Sequence, residues 1–250
     1  MTIINPHPDP DLISKEALEY RYWLNQVAIP STPDNIYNIP CQDKMFKIKL
    51  TKDYPFGSVA GFTQEQDVIE RFFYPNIDKD SLFIDAGACW GQYTLRALSI
   101  GAKVIAFEPD PRCIKGLNNN IDLNPGFSER FILYEGALGH ENGIIKFEDL
   151  EDIPMINLDY FLDNYSPTFI KIDVEGMEWL VIEGAVKVLK KYKPKLLIEN
   201  HIFTGTHSMP QEISDRYIER TRKMVTTLNG LGYKFEMGPG LGRVYFTFCH

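Results

Sequence analysis

The chain has 250 residues, of which 44% are hydrophobic and 13% aromatic, and its formal net charge at pH 7 is -8. These values exclude global disorder and are typical of one large globular domain, or of one domain with an extension. Because most nucleic-acid-binding proteins carry a basic face, an acidic chain of this kind predicts no nucleic-acid partner. No apolar run approaches the ~20 residues that a membrane-spanning helix needs.

The four cysteines lie far apart in the sequence and form no CxxC motif. This spacing argues against a zinc ribbon or a dense disulfide framework and favours a reducing compartment. The chain starts with MTIINPHPDPDL, which has neither the basic stretch nor the apolar stretch of a secretory signal. We therefore predict a cytoplasmic protein.

Residues 1–80 are predicted to form an N-terminal extension. Ser14–Ala28 is typical of a helix capped by its first residue, and 31–40, rich in proline and asparagine, is typical of a linker. The alternation in 44–50 predicts a half-buried strand, and 63–75 predicts a helix that its threonine caps and its proline ends. The sequence leaves open whether this extension covers a functional site or forms a homodimer contact.

From residue 81 onward, predicted strands and helices alternate. The strands are predicted at 82–86, 103–108, 130–138, 168–174, 194–200, 233–237 and 243–249, and the helices at 91–101, 111–124, 178–192 and 210–232. Between the third and fourth strands, 143–164 is predicted to be a less regular excursion. Alternation of this kind predicts a parallel sheet with helices on both faces.

The last two predicted strands are joined only by GPGLG, which is too short for a crossover helix, so they must form an antiparallel hairpin. We therefore predict an α/β, Rossmann-like fold. Its sheet has five parallel strands plus an antiparallel C-terminal hairpin, seven strands in all, and residues 81–250 form this domain.

The segment FIDAGACWGQYTL joins the first strand of this domain to the following helix. Asp85 lies at the carboxyl end of the strand, which is where parallel sheets bind ligands. Gly87 and Gly91 allow a sharp turn, and the helix N-terminus offers N–H groups to an anion. The dinucleotide fingerprint GxGxxG fails, because Cys89 and Gln92 occupy two of its glycine positions.

An acid before these glycines would repel a pyrophosphate but suits a ligand with an ammonium group. An amino acid would bind through both of its charges, with its carboxylate at the N–H groups and its ammonium near the acid. The second strand ends in Glu108, 21 residues after Gly87, where it can accept hydrogen bonds from two ribose hydroxyls. Adenosine joined to an amino acid is S-adenosylmethionine, which we predict as the cofactor.

Six blocks of the sequence together resemble the FkbM-type methyltransferases. They are FIDAGACWGQYTL, AFEPDP, EGALG, NLDYFLD, FIKIDVEGMEWLVIEGA and PKLLIENH, which span 81–201. The resemblance implies a class I methyltransferase with a seven-stranded sheet, in a family of which many members act on hydroxyls of sugars or polyketides. The implied cofactor residues are Asp85, Gly87, Ala88 and Gly91 for the methionine part, Glu108 and Pro109 for the ribose, Glu135, Gly136 and Ala137 for the adenine, and Asp173.

Candidate catalytic residues lie at the ends of the fourth and fifth strands of this domain. Asp173 ends the fourth strand, Glu175 follows it in a segment that we predict to be extended, and His201 ends the fifth. His201 is the best general base by its intrinsic pKa. We predict that these three residues are catalytic; the alternatives are that His201 caps a loop and Glu175 caps the next helix.

A lesser alternative is a magnesium ion bound by Asp173, Glu199 and Asn200. Carboxylate and carboxamide oxygens are the hard ligands that Mg²⁺ prefers, and a bound metal would lower the pKa of an acceptor hydroxyl. The acceptor hydroxyl would then lose its proton more readily, and His201 would be less important as a general base.

The sequence thus predicts an S-adenosylmethionine-dependent O-methyltransferase for a hydroxyl of a sugar or glycan, where the choice of a sugar depends on the resemblance alone. A lipid, a polyketide or another small alcohol is the alternative acceptor. A non-catalytic cofactor-binding or scaffolding module is the alternative of another class. Such a module is expected to lose the acids at its strand ends, whereas this chain keeps Asp85, Glu108 and Asp173.

Overall fold

The computed structural model describes residues 35–51, 65–147, 150–201, 211–241 and 244–250. The helix predicted at Ser14–Ala28 and the capping residue Thr63 lie outside these ranges. Within them, no helix combines the length and the apolar character that crossing a bilayer requires. The four cysteines are all described, and all are free thiols.

The described residues form twelve strands and seven α-helices. The strands are β1 (Ile36–Cys41), β2 (Lys44–Lys49), β3 (Leu82–Ala86), β4 (Lys103–Glu108), β5 (Phe131–Glu135), β6 (Ala137–Leu138), β7 (Gly143–Phe147), β8 (Leu150–Ile156), β9 (Phe169–Ile172), β10 (Lys195–His201), β11 (Phe235–Leu241) and β12 (Val244–Cys249). The helices are α1 (Gln66–Val68), α2 (Gln92–Ile100), α3 (Pro111–Asp122), α4 (Leu158–Phe161), α5 (Glu178–Glu183), α6 (Val186–Tyr192) and α7 (Gln211–Gly230).

A seven-stranded sheet forms the centre of the fold, in the order β11-β12-β10-β9-β3-β4-β5. The strands β5, β4, β3, β9 and β10 are parallel to one another. Strand β12 is antiparallel to both β10 and β11. The predicted architecture of five parallel strands and an antiparallel C-terminal hairpin is therefore confirmed.

Helices cover both faces of the sheet because successive strand residues point to opposite faces. On one face, Phe83 belongs to a core shared with α2, α3 and the β1–β2 hairpin. On the other face, the adjacent Ile84 belongs to a core shared with α5, α6 and α7. Both residues are fully buried, so the near-continuous apolar strands predicted from the sequence match a sheet that is covered on both sides.

Two helix boundaries follow the predicted signals. Helix α2 ends at Gly101, whose φ of 116° lets its N–H reach the carbonyls of Ala97 and Leu98. Helix α3 starts at Pro111, and the preceding Asp110 caps it by accepting a hydrogen bond from the backbone N–H of Arg112.

The region between the third and fourth strands of the main sheet differs from the prediction. The strand predicted at 130–138 ends at Glu135, and the irregular excursion is an ordered three-stranded sheet of β6, β8 and β7. The helix predicted at 178–192 is divided into α5 and α6. At the break, a side chain on Gly184 would lie 2.0 Å from the carbonyl oxygen of Gly139, so the backbone passes too close to that loop for any other residue.

The N-terminal part of the described chain also differs. The linker predicted at 31–40 contains β1, which pairs with β2 in an antiparallel hairpin, so the linker prediction was wrong there. Ile39 of β1 is fully buried in the core, and this long-range packing overrides the local proline and asparagine signals. The helix predicted at 63–75 is α-helical only over Gln66–Val68 and continues as a π-helical and then a 3₁₀ turn.

Two asparagines of the α3 region attach the hairpin to the main domain. The Oδ1 atom of Asn120 accepts a hydrogen bond of 2.7 Å from the N–H of Lys49, and its amide donates to the carbonyl of Trp90. Asn124 binds both the N–H and the carbonyl of Lys47. The hairpin and the sheet share one core. The domain boundary predicted at residue 80 stays a prediction.

We predict that Asn120→Ala lowers the free energy of unfolding by about 2–4 kcal/mol, since it leaves two partly or fully buried backbone groups without partners. Urea denaturation measures this change. Asn118→Ala is the matched control, because Asn118 is an exposed asparagine on the same helix. Equal stability of the two variants would show that the hydrogen bonds of Asn120 contribute nothing to the free energy of unfolding.

Candidate functional site

The predicted site residues meet at the carboxyl edge of the sheet. Ala86 of β3 lies beside Phe107 of β4 and Ile172 of β9, and Ile172 lies beside Ile198 of β10. The next residue of each of these strands is therefore at the same edge. These residues are Gly87, Glu108, Asp173 and Glu199.

Gly87 brings the loops that follow β3 and β9 into contact. Its φ is 83°, and a β-carbon there would lie 1.7 Å from the carbonyl oxygen of Asp173. Gly91, with a φ of 96°, is the residue before α2. The positive φ at both positions is the conformation that favours glycine.

The backbone N–H groups of the β3–α2 loop are already engaged. Those of Gly87 and Ala88 both donate to the carbonyl of Phe107, and that of Cys89 donates to a carboxylate oxygen of Glu108. These three loop groups are therefore not offered to an anion, whereas the predicted role of the N–H groups of the helix N-terminus, which begins at Gln92, stays a prediction. The loop groups are engaged because Phe107 and Glu108, at the end of β4, lie directly beside the loop.

Two buried carboxyl groups face this loop. Each oxygen of Glu108 accepts one backbone N–H, from Cys89 at 2.7 Å and from Asp110 at 2.9 Å, and burial raises its pKa to about 7. Each oxygen keeps a second lone pair, as a bond to a ribose hydroxyl requires. Asp85 accepts from the hydroxyl of Thr94, while its Oδ1 has no partner among the described residues; burial raises its pKa to about 6.

The predicted adenine segment adjoins Glu108. Glu135 lies beside Glu108 in the register of β4 and β5, and its side chain is exposed. The N–H of Gly136 donates to the carbonyl of Glu108, and Ala137 starts the small sheet. With the half-buried Pro109, these residues form one continuous wall beside the β4 end.

Lys171 is a buried cation among four acids. Its ammonium lies 2.6 Å from Oδ2 of Asp173, and the side chain is almost wholly shielded from solvent. Burial acts to lower its pKa, but Asp173, Glu199, Glu65 and Asp85 together raise it above its usual range. Lys171 is therefore permanently charged and offsets part of the negative charge of the site.

Asp173 and Glu199, the two acids that raise the pKa of Lys171 most, differ in their protonation. Burial and the charge of Asp173 raise the pKa of Glu199 to about 11, so Glu199 is a neutral acid at pH 7. Burial opposes the ionisation of Asp173, but Lys171 and His201 outweigh it and lower the pKa of Asp173. Asp173 therefore carries the negative charge of this pair.

His201 faces acids through both ring nitrogens. Nδ1 lies 2.9 Å from Oε1 of Glu178, while Nε2 lies 3.4 Å from Glu175, 3.7 Å from Asp173 and 3.9 Å from Glu199. Burial acts to lower the pKa of His201, but the hydrogen bond to Glu178 and the charge of Asp173 raise it. We assign the proton of the neutral ring to Nδ1, so that Nε2 can accept one.

The fourth strand, predicted at 168–174, ends earlier than expected, at Ile172, and the segment after it that carries Glu175 is not extended. Glu175 and Gly176 have φ values of 52° and 90°. This left-handed turn, rather than an extended segment, directs the exposed Glu175 towards His201. Helix α5 starts at Glu178 without a side-chain cap, so Glu175 does not cap it.

The structure brings together Asp173, Glu199 and His201, whose potential ligand atoms lie within 4.8 Å of one another. It does not bring Asn200 to this group. Side chains alternate along a strand, and the amide of Asn200 donates to Thr247 of β12. The predicted set of Asp173, Glu199 and Asn200 therefore does not form a metal site as a unit.

Sequence reasoning missed two acids of this site. Glu178 belongs to the KIDVEGME block, but no spacing rule pairs it with a histidine on a different strand. Glu65 reaches the cluster from the far N-terminal side and accepts a hydrogen bond of 2.7 Å from the hydroxyl of Tyr93. No local pattern marks either residue, since both are recruited by tertiary contacts.

The family model described as the methyltransferase FkbM domain matches residues 85–235 of this chain, which is more than half of its length. Hexuronic acid methyltransferase AglP from Haloferax volcanii is 30% identical over 141 residues, which are 50% of this chain and 58% of AglP. The chain therefore matches little more than half the length of this relative.

Among solved structures, methyltransferase FkbM from Methylobacillus flagellatus superposes with a TM-score of 0.55 and 22% sequence identity. The superposition covers 72% of this chain and 46% of the other one. At this level of identity, the likeness concerns the fold.

We predict that Glu178→Gln lowers the pKa of His201, because the carboxylate that stabilises the imidazolium is removed. An NMR titration of the ring protons measures this pKa directly. A folded-state pKa above the unfolded value stabilises the protein below that unfolded value, and this gain is lost as pH rises through the folded pKa. The stability difference between wild type and Glu178→Gln should therefore be largest in acid and shrink with rising pH.

Glu183→Gln is the matched control, because Glu183 lies on the same helix but pairs with the exposed Lys223. It should leave the pKa of His201 unchanged. An equal pKa in wild type and Glu178→Gln would show that Glu178 does not tune the histidine.

Proposed function

Because the chain belongs to the FkbM methyltransferase family, we propose that it is an S-adenosylmethionine-dependent O-methyltransferase acting on a hydroxyl of a sugar or glycan. The observation that carries this proposal is the meeting of two groups of residues at one sheet edge. Glu108 and the glycine loop form one group, and Asp173, Glu175 and His201 form the other.

The residues around the β3–α2 loop fit the cofactor. The second lone pairs of the Glu108 oxygens suit two ribose hydroxyls, and the unpartnered Oδ1 of Asp85 suits an ammonium group. Gly87, Ala88 and Gly91 would then adjoin the methionine part. When bound, S-adenosylmethionine supplies an electrophilic methyl group.

His201 would act as the general base. Nε2 would take the proton of the acceptor hydroxyl, and the imidazole would become an imidazolium. Glu178 holds Nδ1–H at 2.9 Å and so keeps Nε2 available. The carboxylates of Asp173 and Glu175, within 4 Å of Nε2, stabilise the charge that forms there.

Asp173 also supports orientation. Its ion pair with Lys171 and the contact of its carbonyl with Gly87 fix the end of β9 against the β3–α2 loop. Alignment of the reacting groups can lower the activation barrier by several kcal/mol. A rigid sheet edge that holds them in place would therefore speed the reaction.

A sugar acceptor is supported by the similarity of this chain to hexuronic acid methyltransferase AglP, which is 30% identical over half of this chain. The alternatives are a lipid, a polyketide or another small alcohol. A mass-spectrometric screen with isotopically labelled cofactor, begun with sugars, identifies the acceptor. Absence of transfer to any class, with the cofactor bound, would favour a non-catalytic module.

We predict that Glu108→Ala weakens S-adenosylmethionine binding by about 1–3 kcal/mol, the range for the loss of hydrogen bonds to a charged group. Isothermal titration calorimetry measures the affinity, and thermal melting confirms that the variant is folded. Glu129→Ala, at an exposed acid outside the site, is the matched control. Unchanged affinity in Glu108→Ala would remove Glu108 from the ribose role, and tighter binding of NAD by the wild type would refute the whole proposal.

We predict that His201→Ala lowers turnover by ~10²-fold or more, whereas the affinity for the cofactor stays unchanged. The pH–rate profile of the wild type should have a limb at or above the usual histidine range, because the pKa of His201 is raised, and the variant should lack it. Initial rates with the acceptor found in the screen test both statements.

His140→Ala controls for the loss of a histidine elsewhere, since His140 is partly exposed. Near-normal turnover in His201→Ala would return His201 to a loop-capping role. Loss of activity in a chelator, with rescue by Mg²⁺, would favour a metal at Asp173 and Glu199 over a histidine base.

A further inference from the structure

A small cleft opens beside His201, between α5 and α7, and it is also lined by Glu178, whose carboxylate lies 2.9 Å from Nδ1 of His201. Trp179 of α5 forms one wall, and Tyr217 and Arg220 of α7 form the other. The cleft therefore connects the proposed general base to a surface made of two aromatic rings and one guanidinium group. Ligand-binding clefts are lined mainly by apolar and aromatic side chains, with a few polar or charged groups that fix the orientation of the ligand.

Arg220 is held in this cleft by aromatic rings. Its guanidinium carbon lies 5.2 Å from the ring centroid of Trp179 and 5.7 Å from that of Tyr217. Within the described ranges, no carboxylate forms an ion pair with it. Lys223 lies equally close to Trp179, at 5.2 Å, but is paired with Glu183 at 3.0 Å. The two cations on one ring thus differ in whether an acid neutralises them.

This difference matters because the chain is acidic, with 34 aspartates and glutamates against 26 lysines and arginines. Arg220 is half-buried and has no acidic partner among the described residues, so its guanidinium is available to bind an anion. Cation–π contacts with aromatic rings use the charge of the guanidinium and not its N–H donors, which remain for a planar anion. Trp179 adds a buried indole N–H that has no acceptor among the described residues.

We propose that this cleft is the acceptor subsite and that Arg220 binds an anionic group, a carboxylate or a phosphate, of a sugar. The inference rests on the proposed methyl transfer, because the cleft matters through its contact with His201. An anion held at Arg220 fixes one end of the acceptor and leaves its hydroxyls on the side of His201. Charge-assisted bidentate bonds of this type give both affinity and orientation.

The test measures binding without turnover, by saturation-transfer NMR and calorimetry in the presence of S-adenosylhomocysteine. The probes are glucuronate, glucose 6-phosphate and glucose. We expect the wild type to bind at least one of the two anions about 10- to 100-fold more tightly than glucose, the gain expected for charge-assisted bonds. The comparison of the two anions distinguishes a carboxylate acceptor from a phosphate acceptor.

Arg220→Gln should abolish this preference, and Arg220→Lys should retain only part of it, because lysine keeps the charge without the fork of donors. Lys223→Gln is the matched control, since it removes a cation from the same ring but should leave the preference intact. Thermal melting confirms that each variant is folded.

Equal binding of anions and glucose by the wild type overturns the proposal, as does an unchanged preference in Arg220→Gln or no binding of either anion. The same samples, supplied with labelled cofactor, separate this proposal from the proposed function. An anion that binds through Arg220 but is not methylated leaves the subsite standing and contradicts the reaction. Methylation of a neutral sugar, without preferential binding of either anion, supports the reaction and contradicts the anion subsite.

Discussion

One buried ammonium group, that of Lys171, allows the carboxyl edge of the sheet to hold several acids. Asp173 lies 2.6 Å from it, and Glu199, Glu65 and Asp85 all act on its charge. Burying a carboxylate without a partner costs several kcal/mol, and burying four of them side by side would be untenable. Without the charge of Lys171, this edge of the sheet could not hold so many buried acids.

The protonation states around Lys171 follow from this arrangement. One cation cannot neutralise every acid, so Glu199 keeps its proton while Asp173 is ionised. His201 then faces an anion at Asp173 and a second one at Glu178. The histidine is more basic than in water despite its burial, which is the property that a group accepting a proton from an alcohol needs.

Backbone contacts give this charged edge its shape. The absence of a side chain at Gly87 lets the carbonyl of Asp173 approach the β3–α2 loop, which also lies beside Glu108. The N-terminal part of the described chain adds to the same edge through Glu65 and is attached by Asn120. A region that local sequence patterns describe as a linker and a helix is thus part of the architecture of the site.

The sequence by itself determined the seven-stranded sheet and placed Asp85, Glu108, Asp173 and His201 at strand ends, because periodicity and turn residues are local signals. Only the tertiary structure decided which groups meet. It divided the predicted helix at 178–192, formed an ordered small sheet from the predicted excursion and turned the N–H groups of the glycine loop inward. It also excluded Asn200 from the acidic cluster and recruited other acids to it. These outcomes depend on contacts between residues far apart in the chain, and burial, which sets each pKa, exists only once those contacts have formed.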